Sequence, residues 1–285
     1  MKQKRILTIQ DYSCLGRCSL TVALPVISAC GIECVGIPTA VLSNHTAGFA
    51  SWTYADLTEY LLPTVDHWQD YNHEFDAIYT GYLGTDQISI VLEIIHRLAK
   101  EGTTVLVDPA FADSGKLYPG FDHRHVEMMK RLVGESDIVV PNLTEACFLL
   151  GKDPEGHYGR KDFEGFLIGL TDLGPEEAVL SGLSFDNDEV GCLMYSKKTG
   201  RFSSYMTESY RGAYHGTGDL FASSLVAAKV AGFSLEEAVC IAHDFVHLSI
   251  GKTLEDKEPD LYYGVEFEKA LPALVQAVIS KRTKG

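Results

Sequence analysis

The sequence predicts an α/β fold in which a mostly parallel sheet is covered by helices on both faces, as a three-layer α/β/α sandwich. Short β-rich runs alternate with longer helical patterns along most of the chain. Glycine follows several of the helical patterns, as is typical of helix C-termini. Neither an internal repeat nor a low-complexity linker divides the 285 residues, so we expect one domain spanning residues 1–285.

The elements follow in order. Apolar β-rich runs predict strands, and apolar residues at helical spacing predict helices. The first half is predicted as strand Arg5–Gln10, helix Leu20–Cys30, strand Glu33–Pro38, helix Asp56–Leu62, strand Ala77–Thr80, helix Gln87–Lys100 and strand Thr103–Val107. The second half is predicted as helix His123–Val133, strand Asp137–Val140, helix Leu143–Leu150, strand Ala178–Leu180, an antiparallel pair Glu189–Tyr195 and Arg201–Tyr205, and helices Asp219–Ala231, Ser234–Ser249 and Glu266–Lys281.

Charge and hydropathy exclude several classes of function. The formal net charge is -15 and the basic runs are short and terminal, so nucleic acid is not expected as the main ligand. The apolar run that follows the charged first residues is too short for a secretion signal. Apolar stretches long enough to cross a membrane are lacking. We therefore expect a cytoplasmic protein with no membrane partner.

Seven cysteines are present, an odd number that favours free thiols in a chain without a secretion signal. The first four have the spacing C-x3-C-x11-C-x3-C, which weakly resembles a metal site. Structural zinc sites usually have tighter C-x2-C pairs. We expect Cys30 and Cys34 to act as small buried apolar residues instead.

The segment Gly216-Thr217-Gly218-Asp219 stands directly before an apolar helical run. Glycines let the backbone turn its N–H groups toward one point, and a helix N-terminus adds partial positive charge there. Taken alone, the segment fits either an ordinary helix start or an anion site with Asp219 as a base beside it. The P-loop, the dinucleotide-binding glycine pattern, the nucleophile elbow and the H-E-x-x-H motif are all missing from the sequence.

Polar residues and glycines follow six predicted strands, where ligands bind in parallel sheets. In strand order they are Asp11 and Tyr12; Thr39 and Ser43 to Thr46; Gly81, Tyr82 and Gly84; Asp108 and Pro109; Pro141, Asn142, Thr144 and Glu145; and Ser181 and Gly182. Their convergence on one edge favours an active site that performs phosphoryl transfer. Asp108 and Glu145 are the best candidates to hold a Mg²⁺ ion, directly or through water.

These residues resemble the pyridoxal (vitamin B6) kinases of the ribokinase-like superfamily. The resemblance runs from Ile6 to about Thr253. Gly216-Thr217-Gly218-Asp219 is typical of the whole superfamily. Ser43-Asn44-His45-Thr46 together with Gly81-Tyr82-Leu83-Gly84 is more specific to the B6 kinases. The remaining matches are Ile9-Gln10, Val107-Asp108-Pro109 and Pro141-Asn142-Leu143-Thr144-Glu145.

The resemblance implies a ribokinase-like fold and transfer of the γ-phosphate of ATP to the 5′-hydroxymethyl group of pyridoxal, pyridoxamine or pyridoxine. It implies a homodimer, and Mg²⁺ as a cofactor; whether K⁺ accompanies it stays open. Asp219 corresponds to the catalytic base, and Gly216, Thr217 and Gly218 to the anion hole. The implied substrate contacts are Asp11, Tyr12, Ser43, Asn44, His45, Thr46 and Tyr82. The implied nucleotide contacts are Asn142, Thr144, Ser181, Gly182, Asp113 and Tyr118, and the implied metal ligands are Asp108 and Glu145.

The chain departs from the family in two places. Gln10-Asp11-Tyr12 stands where many pyridoxal kinases have Gln-Ser-His, and a carboxylate there would favour a protonated ring nitrogen or an amine. Asp108-Pro109-Ala110-Phe111 replaces Asp-Pro-Val-Met, although residues 113–118 still fit a lid loop. Two alternatives stay open: a hydroxymethylpyrimidine kinase with the same fold and chemistry, and a non-catalytic sensor of nucleotide or vitamer.

Overall fold

The computed structural model describes residues 2–46, 49–68, 71, 73–184, 188–210, 212–256, 258–260 and 262–282. The strands are β1 Arg5–Ser13, β2 Glu33–Leu42, β3 Tyr54–Asp56, β4 Ala77–Thr80, β5 Thr104–Val107, β6 Ala112–Asp113, β7 Lys116–Leu117, β8 Ile138–Val139, β9 Glu177–Leu183, β10 Glu189–Ser196 and β11 Arg201–Glu208. The helices are α1 Leu20–Ala29, α2 Thr58–Trp68, α3 Gln87–Leu98, α4 His123–Gly134, α5 Leu143–Leu150, α6 Arg160–Asp172, α7 Thr217–Val230, α8 Leu235–Leu254 and α9 Leu271–Arg282. A short 3₁₀ helix, Phe267–Lys269, precedes α9.

The main sheet is mostly parallel, as predicted. Within the described residues it has nine strands in the order β11-β10-β9-β8-β5-β4-β1-β2-β3. The six strands from β9 to β2 pair in parallel, and β3, β10 and β11 add antiparallel edges. The non-sequential order places neighbouring strand ends from distant parts of the chain at one edge, which is where a ligand binds in such sheets.

Two apolar cores lie on opposite faces of the sheet and confirm the three layers. One core contains residues of α2, α3, α4, α5 and α6, and the other contains residues of α1, α7, α8 and α9. The strand β1 contributes Leu7 and Ile9 to the first core and Ile6 to the second. Residues 6–11 of this strand are all buried, so both of its faces are covered, as is typical of a central parallel strand.

The structure corrects several predicted boundaries. The helix predicted from Asp56 begins at Thr58, because Asp56 ends β3 and its Oδ1 accepts a hydrogen bond of 2.7 Å from the Thr58 N–H. The helix predicted from Glu266 begins only at Leu271, after the 3₁₀ turn. Asp11 and Tyr12, expected after the first strand, lie inside β1, because this strand continues past a bulge and pairs again with β2.

The helix α6 was not predicted, and its glycines explain why. Gly165 and Gly169 weaken the helical pattern of the segment. The helix forms nevertheless, since Phe163, Phe166 and Leu170 of one face are buried in the core. A Cβ at Gly169 would lie 3.0 Å from a methyl carbon of Leu150, so this glycine permits close packing of α6 on α5.

The expectations about the cysteines and the membrane can also be compared with the structure. The seven cysteines, all among the described residues, form no disulfide. Cys30 is buried, as predicted, whereas Cys34 is only partly buried. The described residues contain no cluster of three or more potential metal ligands. None of the described helices is both long and apolar enough to cross a membrane. The single domain stays a prediction.

Candidate active site

A cleft of about 620 Å³ lies at the carboxyl ends of the parallel strands. It brings together residues from the loop after β5, the start of α5, the end of β9 and the start of α7. All of the predicted catalytic, nucleotide and metal residues line it: Asp108, Asp113, Tyr118, Asn142, Thr144, Glu145, Ser181, Gly182, Gly216, Thr217, Gly218 and Asp219. The volume suits a nucleotide-sized ligand.

The turn before α7 is built so that only glycine fits its first position. Gly216 has φ 78° and ψ 1°, in the left-handed region. A Cβ there would lie 2.0 Å from the carbonyl oxygen of Arg17. The Thr217 hydroxyl donates to the carbonyl oxygen of Tyr214 at 3.1 Å and braces the turn. The N–H groups of the first helical turn have no partner within the helix, so they can receive an anion from the cleft.

Asp219 lies in the first turn of α7 and is half-buried. Burial raises the pKa of its carboxyl group to about 7, a backbone hydrogen bond from Ser19 opposes this shift, and the charge of Asp11 adds to it. A carboxylate whose pKa lies near neutrality can both accept and release a proton at physiological pH. Asp219 therefore has the electrostatic properties of a general base.

Asp108 and Glu145 lie beside this turn but differ in their surroundings. Burial and the neighbouring charges of Glu145 and Asp219 raise the pKa of Asp108. A Cβ at Gly218 would lie 4.0 Å from Oδ2 of Asp108, so this carboxylate faces the anion turn. Both oxygens of Glu145 already accept main-chain N–H groups, from Phe111 at 3.0 Å and from Asn142 at 2.9 Å. Asp108 is thus the carboxylate more available to a cation.

The carboxylates of Asp108, Glu145 and Asp219 repel one another, and a divalent cation bound among them would relieve this repulsion. Among the described residues that line the cleft, Lys and Arg are absent. Mg²⁺ is usually held by one or two carboxylates, several waters and the phosphates of a substrate. The residues present therefore fit Mg²⁺ with Asp108 as the direct ligand. Glu145, whose oxygens already accept main-chain N–H groups, would add negative charge near the ion without binding it directly.

The predicted lid is a hairpin made by β6 and β7. Ser114 and Gly115, at its tip, have φ values of 51° and 78°, as in a type I′ turn. Three side chains at the start of α5 hold this hairpin. The Asn142 side chain donates to the Ala112 carbonyl oxygen at 2.8 Å, the Thr144 hydroxyl accepts from the Gly115 N–H at 3.1 Å, and Glu145 accepts from Phe111. The lid is thus tied to the same helix start that borders the cleft.

None of the predicted substrate contacts is among the described residues that line the cleft. Asp11 occupies the bulge of β1 and is only 4% exposed. Its Oδ1 accepts from the Ser19 hydroxyl at 2.5 Å and its Oδ2 from the Ser13 hydroxyl at 2.9 Å. Burial outweighs these two donors and raises the pKa of Asp11. Tyr12, the next residue, is exposed.

The loop after β2 contains two bracing residues and one buried ring. The Ser43 hydroxyl accepts from the Thr53 N–H at 2.9 Å, and Asn44 donates to the Ser51 carbonyl oxygen at 3.3 Å. His45 is 5% exposed, and its ring centroid lies 5.8 Å from that of His215, which lines the cleft. Thr46 is exposed. His45 is thus in contact with a residue of the cleft wall.

Tyr82 is half-buried, and its ring stacks on that of Phe121 at 5.4 Å. Burial, followed by the influence of Tyr54 and Asp11, raises the pKa of Tyr82 to about 12. The tyrosine therefore stays neutral and can serve as an aromatic wall with a hydroxyl donor. As substrate contacts, Asp11, Tyr12, Ser43, Asn44, His45, Thr46 and Tyr82 stay predictions.

Sequence reasoning missed the far end of the cleft. Val190, Cys192, Tyr210, Val246, His247 and Ile250 line it. The Thr207 hydroxyl lies 2.8 Å from Nε2 of His243 and 3.3 Å from Nδ1 of His247, and the Tyr210 ring lies 4.7 Å from that of His247. The spacing of His243, Val246, His247 and Ile250 on α8 is a one-face helical pattern that could have indicated this wall. Ser19 and Tyr54 were missed as well, and no sequence motif indicates them.

Comparison with known proteins agrees with this geometry. The family model described as phosphomethylpyrimidine kinase matches residues 23–259. The chain belongs to the phosphomethylpyrimidine kinase family. Within this family, a candidate phosphomethylpyrimidine kinase from Bacteroides thetaiotaomicron, in a crystal form with pyridoxal, is 32% identical, covers 96% of each chain and has a TM-score of 0.92.

Two curated relatives represent the two activities expected from the sequence. A pyridoxal kinase from Dictyostelium discoideum is 27% identical over 82% of this chain and 80% of its own length. A hydroxymethylpyrimidine/phosphomethylpyrimidine kinase from Staphylococcus aureus is 24% identical over 90% of this chain and 91% of its own length. The ribokinase-like fold and the relationship to pyridoxal kinases, both predicted from the sequence, are confirmed.

Proposed function

We propose that this phosphomethylpyrimidine kinase family member transfers the γ-phosphoryl group of ATP to the 5′-hydroxymethyl group of pyridoxal, pyridoxamine or pyridoxine. The observation that carries the proposal is the joint position of Asp219 and the Gly216 turn, a near-neutral base beside an anion site at the edge of a nucleotide-sized cleft. The Bacteroides relative seen with pyridoxal supports the choice of acceptor.

The proposed reaction gives each part of the site a role. Asp219 accepts the proton of the hydroxymethyl group as its oxygen forms a bond to the γ-phosphorus. The bond between the γ-phosphorus and the bridging oxygen to the β-phosphate breaks, and ADP leaves. The N–H groups of residues 216–218 hold the transferring group, so the charge that develops on it is stabilised without side-chain rearrangement.

The nucleotide would extend from this turn toward the far end of the cleft. There, apolar residues and the paired rings of Tyr210 and His247 offer a surface for a planar base. Ser181 and Gly182 lie between the two ends, and Gly182 has φ 66° with open space where a Cβ would stand. The lid residues Asp113 and Tyr118 border the phosphate path.

Mg²⁺, when bound, neutralises charge on the nucleotide phosphates. Asp108 would hold it, and Asn142, Thr144 and Glu145 tie the lid hairpin to the start of α5. A requirement for K⁺ stays open. The cytoplasmic location is a prediction from the sequence alone.

A homodimer is part of the proposal. The edge strand β3 and its surroundings expose Trp52 at 40%, Tyr54 at 49% and Tyr60 at 66%. Aromatic side chains beside an open sheet edge are typical of a surface that a second copy covers. Sedimentation equilibrium should give twice the monomer mass, and Tyr60→Asp should lower it.

A kinase assay over four alcohols tests the function. Purified protein with ATP and Mg²⁺ should form pyridoxal 5′-phosphate, and kcat/KM should be higher for at least one B6 vitamer than for hydroxymethylpyrimidine. Asp219→Asn is the control for contaminating kinases and should be nearly inactive. Turnover of none of the three vitamers would overturn the proposal.

A second candidate is hydroxymethylpyrimidine kinase activity. The Staphylococcus relative, a hydroxymethylpyrimidine/phosphomethylpyrimidine kinase, favours it, and so does the family model, which is described as phosphomethylpyrimidine kinase; both cover most of the chain. The same assay separates the two, because preference for the pyrimidine alcohol would replace the first proposal with this one. Binding of ATP and vitamer without any turnover would instead indicate a sensor.

A further inference from the structure

The carbonyl oxygen of Arg17 lies between two glycines. A Cβ at Gly216 would come within 2.0 Å of this oxygen, and a Cβ at Gly264 would come within 3.0 Å of it. Both glycines have positive φ values, 78° and 103°, so each position favours a residue without a Cβ on two grounds. Three segments that are distant in the chain thus meet at one main-chain oxygen, and one of them is the anion turn at residues 216–218.

Residues 263–268 bind Arg17 through both its backbone and its side chain. The Arg17 N–H donates to the Tyr263 carbonyl oxygen at 2.9 Å. Its Nε donates to Oε1 of Glu268 at 2.9 Å, its Nη1 donates to the Gly264 carbonyl oxygen at 3.2 Å, and the guanidinium carbon lies 5.0 Å from the centre of the Tyr263 ring. The planar fork of an arginine can make these contacts together, whereas the point charge of a lysine cannot. The side chain therefore fixes where the Arg17 carbonyl oxygen lies.

The 263–268 segment is itself anchored in the protein interior. Val265 and Phe267 are buried in the core that contains residues of α1, α7, α8 and α9. The Glu266 N–H donates to the hydroxyl of Thr253 on α8 at 2.7 Å. A continuous set of contacts therefore runs from α8 through this segment to Arg17, and from the Arg17 oxygen to the turn before α7. The turn cannot move toward the Arg17 loop unless that loop also moves.

We propose that Arg17 is a positioning residue for the anion turn, and that residues 263–268 hold it in this role. With the Arg17 oxygen against Gly216, the N–H groups of residues 216–218 keep their direction toward the cleft. Such preorganised donors stabilise the charge that develops in a transition state. The described residues after Ile250 do not line the cleft, so residues 263–268 would act on the reaction through Arg17 and not through contact with the ligand. The inference rests on the proposed function, in which these N–H groups hold the transferring phosphoryl group.

Arg17→Ala removes the side-chain contacts and keeps the carbonyl oxygen. We expect kcat to fall about tenfold and KM for ATP to stay within about twofold, because misdirected donors weaken binding of the transition state more than binding of the substrate. Arg17→Lys keeps the charge but not the fork, so its kcat should lie between those of the wild type and Arg17→Ala. A kcat of Arg17→Ala within about twofold of the wild type would overturn the inference.

Two matched controls separate positioning from stability. Arg5 pairs with Glu33 at 2.8 Å, and its side chain is 25% exposed compared with 22% for Arg17, but it lies at the amino end of β1. Arg5→Ala should therefore lower the melting temperature and leave kcat unchanged. Gly264→Ala places a carbon 2.9 Å from Cβ of Arg17 and should lower kcat about fivefold, whereas Gly102→Ala, with φ 89° and nothing within 4 Å, should not. Equal losses of kcat in a test variant and its control would overturn the inference, since they would reflect stability alone.

Amide hydrogen exchange gives a readout that needs no activity. The Leu220 N–H donates to the Gly216 carbonyl oxygen at 3.0 Å, so its exchange rate reports opening of the turn. In the unliganded protein, Arg17→Ala should raise this rate at least about fivefold, because the turn is no longer supported. The Ala238 N–H, which donates to the Ser234 carbonyl oxygen at 3.0 Å at the start of α8, is the internal reference and should not change. An unchanged Leu220 rate would overturn the inference. A raised rate in a protein without turnover would retain the support of the turn by Arg17 and overturn the proposed function instead.

Discussion

Asp219 in the first turn of α7 and Asp11 in the bulge of β1 belong to one acidic neighbourhood, but the two regions treat their carboxylates differently. Burial raises the pKa of both. Both oxygens of Asp11 are taken by hydroxyl donors, and the residue is 4% exposed. Asp219 is half-buried and lines the cleft. The two carboxylates differ in access and in free lone pairs more than in the direction of their pKa shifts, so Asp219 is the one better placed to react with a ligand in the cleft.

The strongest test of this comparison is to remove the charge of Asp219. Asp219→Asn should lower kcat at least about 100-fold, as expected for loss of a general base. The fold should be intact, because the amide is isosteric and the charged form is disfavoured by burial. Steady-state kinetics and a thermal melt measure the two effects. Near-normal turnover in Asp219→Asn would show that the α7 carboxylate is not the base.

The second test concerns the backbone that presents Asp219. Gly216→Ala places a Cβ 2.0 Å from the Arg17 carbonyl oxygen and also strains a residue with φ 78°. We expect kcat to fall at least about tenfold, since the turn that presents Asp219 must shift to clear this carbonyl. Gly200→Ala is the matched control, because Gly200 has φ 65° with nothing within 4 Å of the added carbon. It should cost about 1 kcal/mol of stability and leave kcat unchanged. Equal activities in the two variants would argue against a tightly fixed turn.

The third test uses pH. The pKa of Asp219 is raised to about 7, so the residue is protonated at pH 6 and ionised at pH 8. A base acts only when ionised, so kcat/KM should rise about tenfold from pH 6 to pH 8. The residual activity of Asp219→Asn should not show this rise. A wild-type profile that is flat over the same range would mean that another group, or no group, takes the proton.

The two regions also differ in how far the sequence could predict them. The turn at Gly216 was predictable because its function depends on local features: two glycines, an acid and a helix start. The strand-end residues from Asp108 to Glu145 followed from the alternation of strands and helices, and the structure places them in the same cleft. Backbone-built sites leave local signatures, so a single sequence indicates them.

The β1 region could not be predicted in the same way. Asp11 faces inward because a bulge shifts the register of β1 against β2, and a bulge has no reliable sequence signal. Ser19 directly precedes α1, yet its hydroxyl donates to Asp11 and not to the helix, which the sequence does not indicate. The His243 and His247 wall depends on which face of α8 meets Thr207. The contacts of α8 with Thr207 join residues 36 and 40 apart in the chain, and even Ser19 and Asp11, eight apart, meet only because β1 continues past its bulge.

The smallest expected effect concerns Asp11 and tests whether its charge influences the preference between two vitamers. If the charge of Asp11 also acts on the bound vitamer, Asp11→Ser should change the ratio of kcat/KM for pyridoxamine to kcat/KM for pyridoxal by a few-fold. The reason is that a nearby carboxylate stabilises the amine of pyridoxamine more than the aldehyde of pyridoxal. Taking a ratio removes any loss of kcat that the substitution brings to both substrates alike. Parallel assays of the two vitamers with Ser19→Gly supply the reference, since that variant keeps the charge. A ratio that stays the same in Asp11→Ser would show that this carboxylate does not act on the substrate, whereas a shifted ratio in Asp11→Ser alone would give it a role toward the substrate.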